Sequence, residues 1–497
     1  MKSKNFLFAL LSFIAGGIFV LAFAPFHWYV IGFAAPALLL YCWKNATPAQ
    51  AFWRGFFFGL GEFIMGTSWI YISIHKFGNA TVLLAGFITT LFILFMSSYP
   101  ALQGYIFSQC FRHNTLWQRC LFAFPSTWVI FEILRAYLFT GFPWLLLGYS
   151  QTRTIFNGFA PLLSVFGISL IVSMMSGALI LFIDTKATTQ RMIAATLILI
   201  FITVSVPLHD AHWTHPTKRA LSVALVQGNV PQSLKWDANE AFNTIQKYLR
   251  ATQPYWNKQL ILWPEAAVPI LSTEATAFIQ ELHHKAKQHH SALIFGIPGT
   301  NDQQNKFYNS IMTVGQGHGT YFKRHPVPFG EYIPLPSIFG AAMRYFDIPM
   351  SNLSKGPKKQ PLLQAQGIKI APFVCYEITY PNEVIPYSKG SQLLVTVNDD
   401  SWFGDSFAQP QQIQMAKMRA IETGRPILYV SNTGITAIIG THGKIVRQIP
   451  ENRLLVLTGE VHPTMGNTPL MIYKFYPLYS IVVLLFIAGL YNYRKKP

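Results

Sequence analysis

Cys375 stands directly after the apolar run 368–374 and is followed by Tyr376 and Glu377 rather than by more core. In α/β proteins the end of a strand is where reactive groups are presented. A buried, inert thiol is the competing reading, and the commoner state of a free cysteine. As a nucleophile, Cys375 needs a base and a stabiliser for the oxyanion it creates. Two other run ends supply the residue types. Glu265 follows Leu260-Ile261-Leu262-Trp263-Pro264, and such apolar neighbours raise a carboxyl pKa and fit it to take a thiol proton. A helix-capping acid is the alternative there. Lys323 ends a second hairpin strand, where a cation can lower the thiol pKa and bind an oxyanion. A plain surface lysine is the alternative. Glu331, eight residues on, can hold Lys323 or support the base.

The stretch that positions these residues, 209–466, alternates short apolar runs with turn signals. Runs at 220–227, 259–263, 292–297, 368–374, 392–397 and 426–431 predict strands. Segments 306–315 and 319–323 flank Gly315-Gln316-Gly317-His318-Gly319, and 435–440 and 444–449 flank Thr441-His442-Gly443; both predict hairpins. Helical stretches at 238–253, 274–290 and 411–423 lie between strands, which argues for an α/β domain.

The rest of the 497-residue chain has another texture. Hydrophobic residues make up 51% and charged residues 12%, too little charge for a fully water-solvated surface. Apolar segments at about 6–24, 28–43, 55–73, 80–109, 117–138, 157–183, 191–208 and 472–492 predict eight membrane spans. Lys2, Lys4, Lys44, Arg54, Arg112, Arg119, Lys186, Arg191 and Arg494-Lys495-Lys496 all fall on one side, which is then the cytoplasm. Both termini are thus inside, and residues 209–466 are outside. Domain boundaries follow: 1–208 membrane, 209–466 exported, 467–497 a final span and tail. Cys42, Cys110 and Cys120 sit at cytoplasmic span ends, so Cys375 is the lone exported cysteine. The net charge of +18 reads as topology signal and affinity for anionic lipid, not nucleic-acid binding. Within the spans, Glu132 and Arg135 pair with each other or meet a phospholipid headgroup, and Glu62 has no evident partner.

A Glu, a Lys and a Cys followed by Tyr-Glu, in that order at strand ends, resemble the nitrilase superfamily, whose members share an α-β-β-α sandwich. An inserted domain of this kind before the last of eight spans is similar to the apolipoprotein N-acyltransferase family. The motifs are VQGNVPQSLKW at 226–236, WPE at 263–265, YFKRHPVPFGE at 321–331, VCYE at 374–377, NDDSWFGD at 398–405 and GFPW at 141–144. The resemblance implies Cys375 as nucleophile, Glu265 as base, Lys323 as oxyanion stabiliser and Glu331 as an accessory glutamate, with Trp236, Tyr376 and Glu377 as further accessory or substrate positions. It implies a bacterial inner-membrane acyltransferase with a periplasmic domain. A glycerophospholipid donates an acyl chain through a Cys thioester to the α-amino group of a diacylglyceryl-cysteine apolipoprotein, the last step of lipoprotein maturation. No metal and no organic cofactor is required. Trp402, Phe403, Phe142 and Trp144 form an apolar mouth or serve as interfacial anchors.

Other readings are weaker. His283, His284, His289 and His290 share a charged helix with Lys285 and Lys287 and read as a solvated face rather than a metal site. A membrane-tethered amidase would use the same triad but release its acyl product to water. A transporter or receptor would need more intramembrane charge or no triad.

Overall fold

A computed structural model describes residues 2–301, 306–333 and 352–491. The basic tail Arg494-Lys495-Lys496 lies outside the described residues. The chain divides into two compact units. One comprises Met1–Tyr71, Leu83–Ala211 and Ile472–Pro497; the other Ile72–Val82 and His212–Met471.

The first unit is helical. Lys4–Ala22, Val82–Phe111, Leu116–Thr140, Ile155–Asp184 and Thr188–His209 are each long and apolar enough to cross a membrane. Pro48–Thr67 and Trp69–Phe77 would make a sixth span, bent by 47°. Ile31–Trp43 and Tyr476–Leu490 are shorter apolar helices. All eight predicted segments thus correspond to apolar helices of differing length. Local chemistry sets several ends. The Thr47 hydroxyl accepts from the Gln50 amide while the Gln50 side chain accepts from the Thr47 amide, and Pro48 supplies a preset φ, so a helix starts there. The bend falls at Gly66-Thr67-Ser68, where the Thr67 hydroxyl bonds back to the Phe63 carbonyl at 2.7 Å. Helices Lys2–Phe19 and Pro48–Thr67 meet backbone to backbone: a Cβ at Gly16 would lie 1.9 Å from the Phe58 oxygen, and one at Gly61 2.1 Å from the Phe13 oxygen. In an apolar solvent such close packing replaces the hydrophobic drive.

The second unit is a layered α/β domain. Its strands are β1 (Leu221–Gln227), β2 (Leu260–Leu262), β3 (Ala292–Asn301), β4 (Lys306–Gly315), β5 (Gly317–His318), β6 (Thr320–Phe322), β7 (Leu363–Ala365), β8 (Ile368–Val374), β9 (Leu393–Asn398), β10 (Ile427–Ser431), β11 (Thr436–Ile439), β12 (Ile445–Ile449) and β13 (Leu455–Val461). One sheet runs β13-β1-β2-β3-β4-β6 and the other β12-β11-β10-β9-β8-β7-β5. Side-chain alternation builds the layers. Val223, Leu225, Leu260 and Leu262 face Val395, Val397, Ile370 and Leu428 in one core between the sheets. The intervening Ala224, Val226, Ile261 and Trp263 face the helices Ala241–Thr252 and Thr276–Gln288. On the far side, Leu394, Phe373 and Tyr429 pack against Ile413, Ala416 and Ala420 of helix Ala408–Thr423. The result is an α-β-β-α sandwich.

The predicted hairpin 306–323 is more complex than a hairpin. β4 pairs with β6, but Gly317 and His318 leave to pair with Ala365 and Gln364 of the other sheet. The glycines allow this crossing: a Cβ on Gly317 would sit 2.5 Å from the Gln364 oxygen. The second hairpin, β11 with β12, forms as expected, with a register shift at Ile438/Ile439.

Candidate active site

Glu265 follows the short parallel strand β2. Its turn is tight: Ala266 has φ +45°, and a Cβ on Gly296 of β3 would lie 2.4 Å from the Ala266 nitrogen. Glycine at 296 is therefore what lets the Glu265 turn sit against the sheet. Cys375 follows β8, parallel to β9, and has φ +52°. A non-glycine residue in the left-handed region is strained, and such strain gathers at reactive sites. Here it turns the chain off the strand into the 3-10 turn Cys375–Thr379. Lys323 follows β6, as expected.

The three strand ends converge. Lys323 Nζ lies 3.8 Å from Glu265 Oε1 and 2.7 Å from Glu331 Oε2. Asn309, on β4, donates to Glu265 Oε1 at 2.6 Å and to Glu331 Oε1 at 2.9 Å. The Val327 amide donates to Glu331 Oε2 at 2.7 Å. Glu331 therefore holds both Lys323 and the amide that holds Glu265. Lys323, Glu265 and Cys375 are all buried.

Burial dominates the electrostatics. It pushes the Cys375 thiol well above its ordinary range; Glu265 adds to this, and Lys323 only partly opposes it. The expectation that a nearby lysine leaves a low-pKa thiol is thus outweighed, and Cys375 rests as a neutral thiol. Burial raises the Glu265 carboxyl as well, against the pull of Lys323. For Lys323 burial works downward, but Glu331, Glu265 and Cys375 outweigh it and hold the ammonium charged. A raised carboxyl beside a neutral thiol and a fixed cation can move a proton as sulfur attacks, and can hold an oxyanion.

Glu377 ties two strand ends together. It is buried and accepts from Tyr321 Oη at 3.0 Å and from the amides of Arg324 at 2.7 Å, His325 at 3.1 Å and Val374 at 2.8 Å. One carboxylate thereby locks the Lys323 strand end to the Cys375 strand end. Tyr376 is buried against Tyr380, ring centroids 5.1 Å apart. Trp236 is half-buried beside Lys235, which the sequence reading passed over and which reaches the Glu265 carbonyl at 2.8 Å. Asn309 was passed over too. A polar side chain inside the strand run 306–315 was the only signal for it.

Residues 72–82 group with this unit at the 398–405 turn. Ser73 Oγ donates to the Trp402 carbonyl at 2.7 Å, and the Phe77 and Trp402 rings lie 5.7 Å apart. In the helical unit, Trp144 is fully buried, stacked on Phe142 at 5.8 Å and 5.0 Å from Trp69. Glu132 and Arg135 do not pair with each other. Glu132 Oε1 accepts from Trp128 Nε1 at 3.0 Å and the Leu147 amide at 2.7 Å. Arg135 donates to the Trp144 carbonyl at 2.6 Å and is the partner of Glu62, at 3.9 Å. Of the four histidines, His283 is half-buried with Nδ1 accepting from the Gly315 amide at 3.2 Å, and the other three are exposed.

Residues 222–469, which contain this buried carboxyl, ammonium and thiol, match the family model Carbon-nitrogen hydrolase. Residues 15–178 match the Apolipoprotein N-acyltransferase N-terminal domain. The Apolipoprotein N-acyltransferase of Coxiella burnetii is 48% identical over 96% of this chain and 98% of its own. That of Pseudomonas aeruginosa is 37% identical over 98% of this chain and 96% of its own. The chain belongs to the apolipoprotein N-acyltransferase family. Among solved structures, Nit3 of Saccharomyces cerevisiae aligns with TM-score 0.38 and 17% identity over 53% of this chain and 97% of its own. A carbon-nitrogen hydrolase from Helicobacter pylori aligns with TM-score 0.38 and 14% identity over 56% and 99%.

Proposed function

We propose that this protein transfers a fatty acyl chain from a glycerophospholipid to the α-amino group of a diacylglyceryl-cysteine lipoprotein through a thioester on Cys375. The observation that carries the reading is the cluster of Glu265, Lys323, Glu331 and Asn309 beside Cys375, with Glu265, Lys323 and Cys375 buried, in a family named for N-acyl transfer to apolipoproteins.

The geometry supports a two-stage reaction. Glu265 takes the thiol proton as sulfur attacks the ester carbonyl; a neutral resting thiol makes this base necessary. Lys323 and the Tyr376 amide, at the start of the Cys375–Thr379 turn, hold the oxyanion. The glycerol oxygen of the lysophospholipid leaves with the proton from Glu265. In the second stage the lipoprotein amine attacks the thioester, Glu265 takes its proton, and sulfur leaves and is reprotonated. Burial of the cluster keeps water from the thioester, which separates transfer from hydrolysis. Trp402 and Phe77, whose rings meet at the 398–405 turn, offer partly exposed apolar surface for acyl chains. The helices of the first unit and the distribution of Lys and Arg support a bacterial inner-membrane location with a periplasmic domain and cytoplasmic termini.

The test is intact mass after incubation with phospholipid alone, beside Cys375→Ala. The expected result is an acyl adduct on the wild type only, discharged by hydroxylamine and by a diacylglyceryl peptide. A folded wild type that leaves phospholipid unconsumed and carries no adduct refutes the first stage. Hydrolysis of the adduct without transfer to the peptide favours the amidase reading.

A further inference from the structure

A second buried ion pair lies behind the triad. Lys235 ends the short helix Gln232–Lys235, and its Nζ pairs with Asp399 Oδ2 while donating to the Glu265 backbone carbonyl at 2.8 Å. Both partners are almost fully buried. Asp399 follows β9 and accepts from Asn432 Nδ2 at 3.3 Å and from the Ser401 amide at 3.3 Å. Asn432 is fixed in turn by Tyr248 Oη at 3.2 Å and by both backbone groups of Val230. The Asp399 backbone amide faces the Cys375 sulfur and favours its thiolate. One ion pair therefore touches the base through its carbonyl and the nucleophile through an amide.

A buried pair costs desolvation on both partners, so packing alone is a weak reason for it here. We propose that Lys235 and Asp399 form a positioning pair that fixes the strained Glu265 turn against the Cys375 turn and sets the charge balance in which Glu265 works as base. The inference rests on the reading of Glu265 and Cys375 given above. It adds two positioning residues from a helix and a strand end that carry no reacting group. The charged and titratable groups facing Glu265 are Lys323, Glu331, Lys235, Asp399, Asp400 and Cys375. Burial raises the Glu265 carboxyl, and among its neighbours Lys235 pulls it down while Asp399 pushes it up. The two partners act on Glu265 in opposite senses, so breaking the pair from either side shifts Glu265 in opposite directions.

The experiment is the pH dependence of Cys375 acylation by phospholipid, followed by intact mass on the full-length protein in detergent. Lys235→Met is expected to move the acidic limb upward by about one pH unit, a tenfold loss at a fixed pH on that limb. Asp399→Asn, nearly isosteric, is expected to move it downward. The double variant should return toward wild type. A merely structural pair would lower the rate at all pH values and leave the inflection in place, and that result overturns the proposal. If Lys235→Met fails to fold, Asp399→Asn decides alone: a downward shift supports the pair and an unmoved limb overturns it. A wild type that forms no thioester defeats the parent reading and this one with it. A wild type that forms it, with variants keeping the wild-type limb, defeats the pair alone.

Discussion

Asn309 is the residue on which two carboxylates depend. Its amide serves Glu265 and Glu331 at once, so Asn309→Ala leaves the buried Glu265 and the half-buried Glu331 each short of a donor. Hydrogen bonds to charged groups are worth about 1.5–3 kcal/mol, so acylation should fall by roughly tenfold to hundredfold. Glu265 must be ionised to act, and burial raises its pKa, so the acidic limb of the wild-type profile should lie above the ordinary glutamate value of about 4.3. A limb at or below that value would contradict the assignment. Asp400 is a separate case. It is buried beside Gly434, and burial first, opposed by a hydrogen bond with Ser431 and reinforced by Asp399, Glu265 and Glu451, pushes it up to about 8. Its folded pKa exceeds an unfolded value of about 3.9, so stability is fully present below the unfolded value and is lost as pH rises through the folded one. Asp400→Asn should remove that loss. Thermal midpoints of wild type and variant should diverge in the variant's favour between about pH 4 and about pH 8, and parallel curves would refute it.

At the scale of elements, the site depends on how closely strand ends can approach. Gly296 on β3 is the clearest instance, since a methyl there would meet the Ala266 nitrogen at 2.4 Å and the Glu265 Cα at 2.8 Å. Gly296→Ala must therefore push the Glu265 turn away from Lys323. A displacement of about 1 Å can cost ~100-fold in rate, so turnover should fall by one to two orders of magnitude while peptide affinity changes little. Leu262→Ala, one element away and facing the inter-sheet core, should instead cost about 2–5 kcal/mol of stability and leave the acidic limb unmoved. Comparing thermal midpoints with pH profiles of the two variants separates positioning from packing.

At the scale of the whole molecule, the helical unit keeps its own buried charges. Arg135→Leu removes the partner of Glu62 and the donor to the Trp144 carbonyl. Breaking a buried pair from one side costs about 3–5 kcal/mol, so the thermal midpoint in detergent should drop sharply. The double variant Glu62→Gln, Arg135→Met should lose less. Orientation is testable on the same scale: in spheroplasts, cysteine-reactive or proteolytic probes applied from outside should reach residues 209–466 and spare the cytoplasmic loops. Labelling of the loop with Lys186 and Arg191 from outside would invert the topology.

Much of this protein was legible in its residues, because the signals concerned are local. Short apolar runs at 220–227 and 392–397, bounded by turn signals, marked strands within a residue or two of β1 and β9, and the sandwich buries alternate side chains of each strand on opposite faces. Apolar length marked the helices, since a bilayer demands it. Glu265, Lys323 and Cys375 were visible because each ends a run, where side chains leave the sheet. What the tertiary structure alone decided is whatever depends on distant segments meeting. Asn309 and Lys235 look like ordinary polar residues until β4 and the 232–235 helix are brought against Glu265. The four donors by which Glu377 ties two strand ends together come from segments that meet only in the fold. The thiol's protonation was likewise undecidable from spacing. A lysine nearby argues for a thiolate, and only the depth of burial, which no short motif encodes, makes desolvation the larger effect.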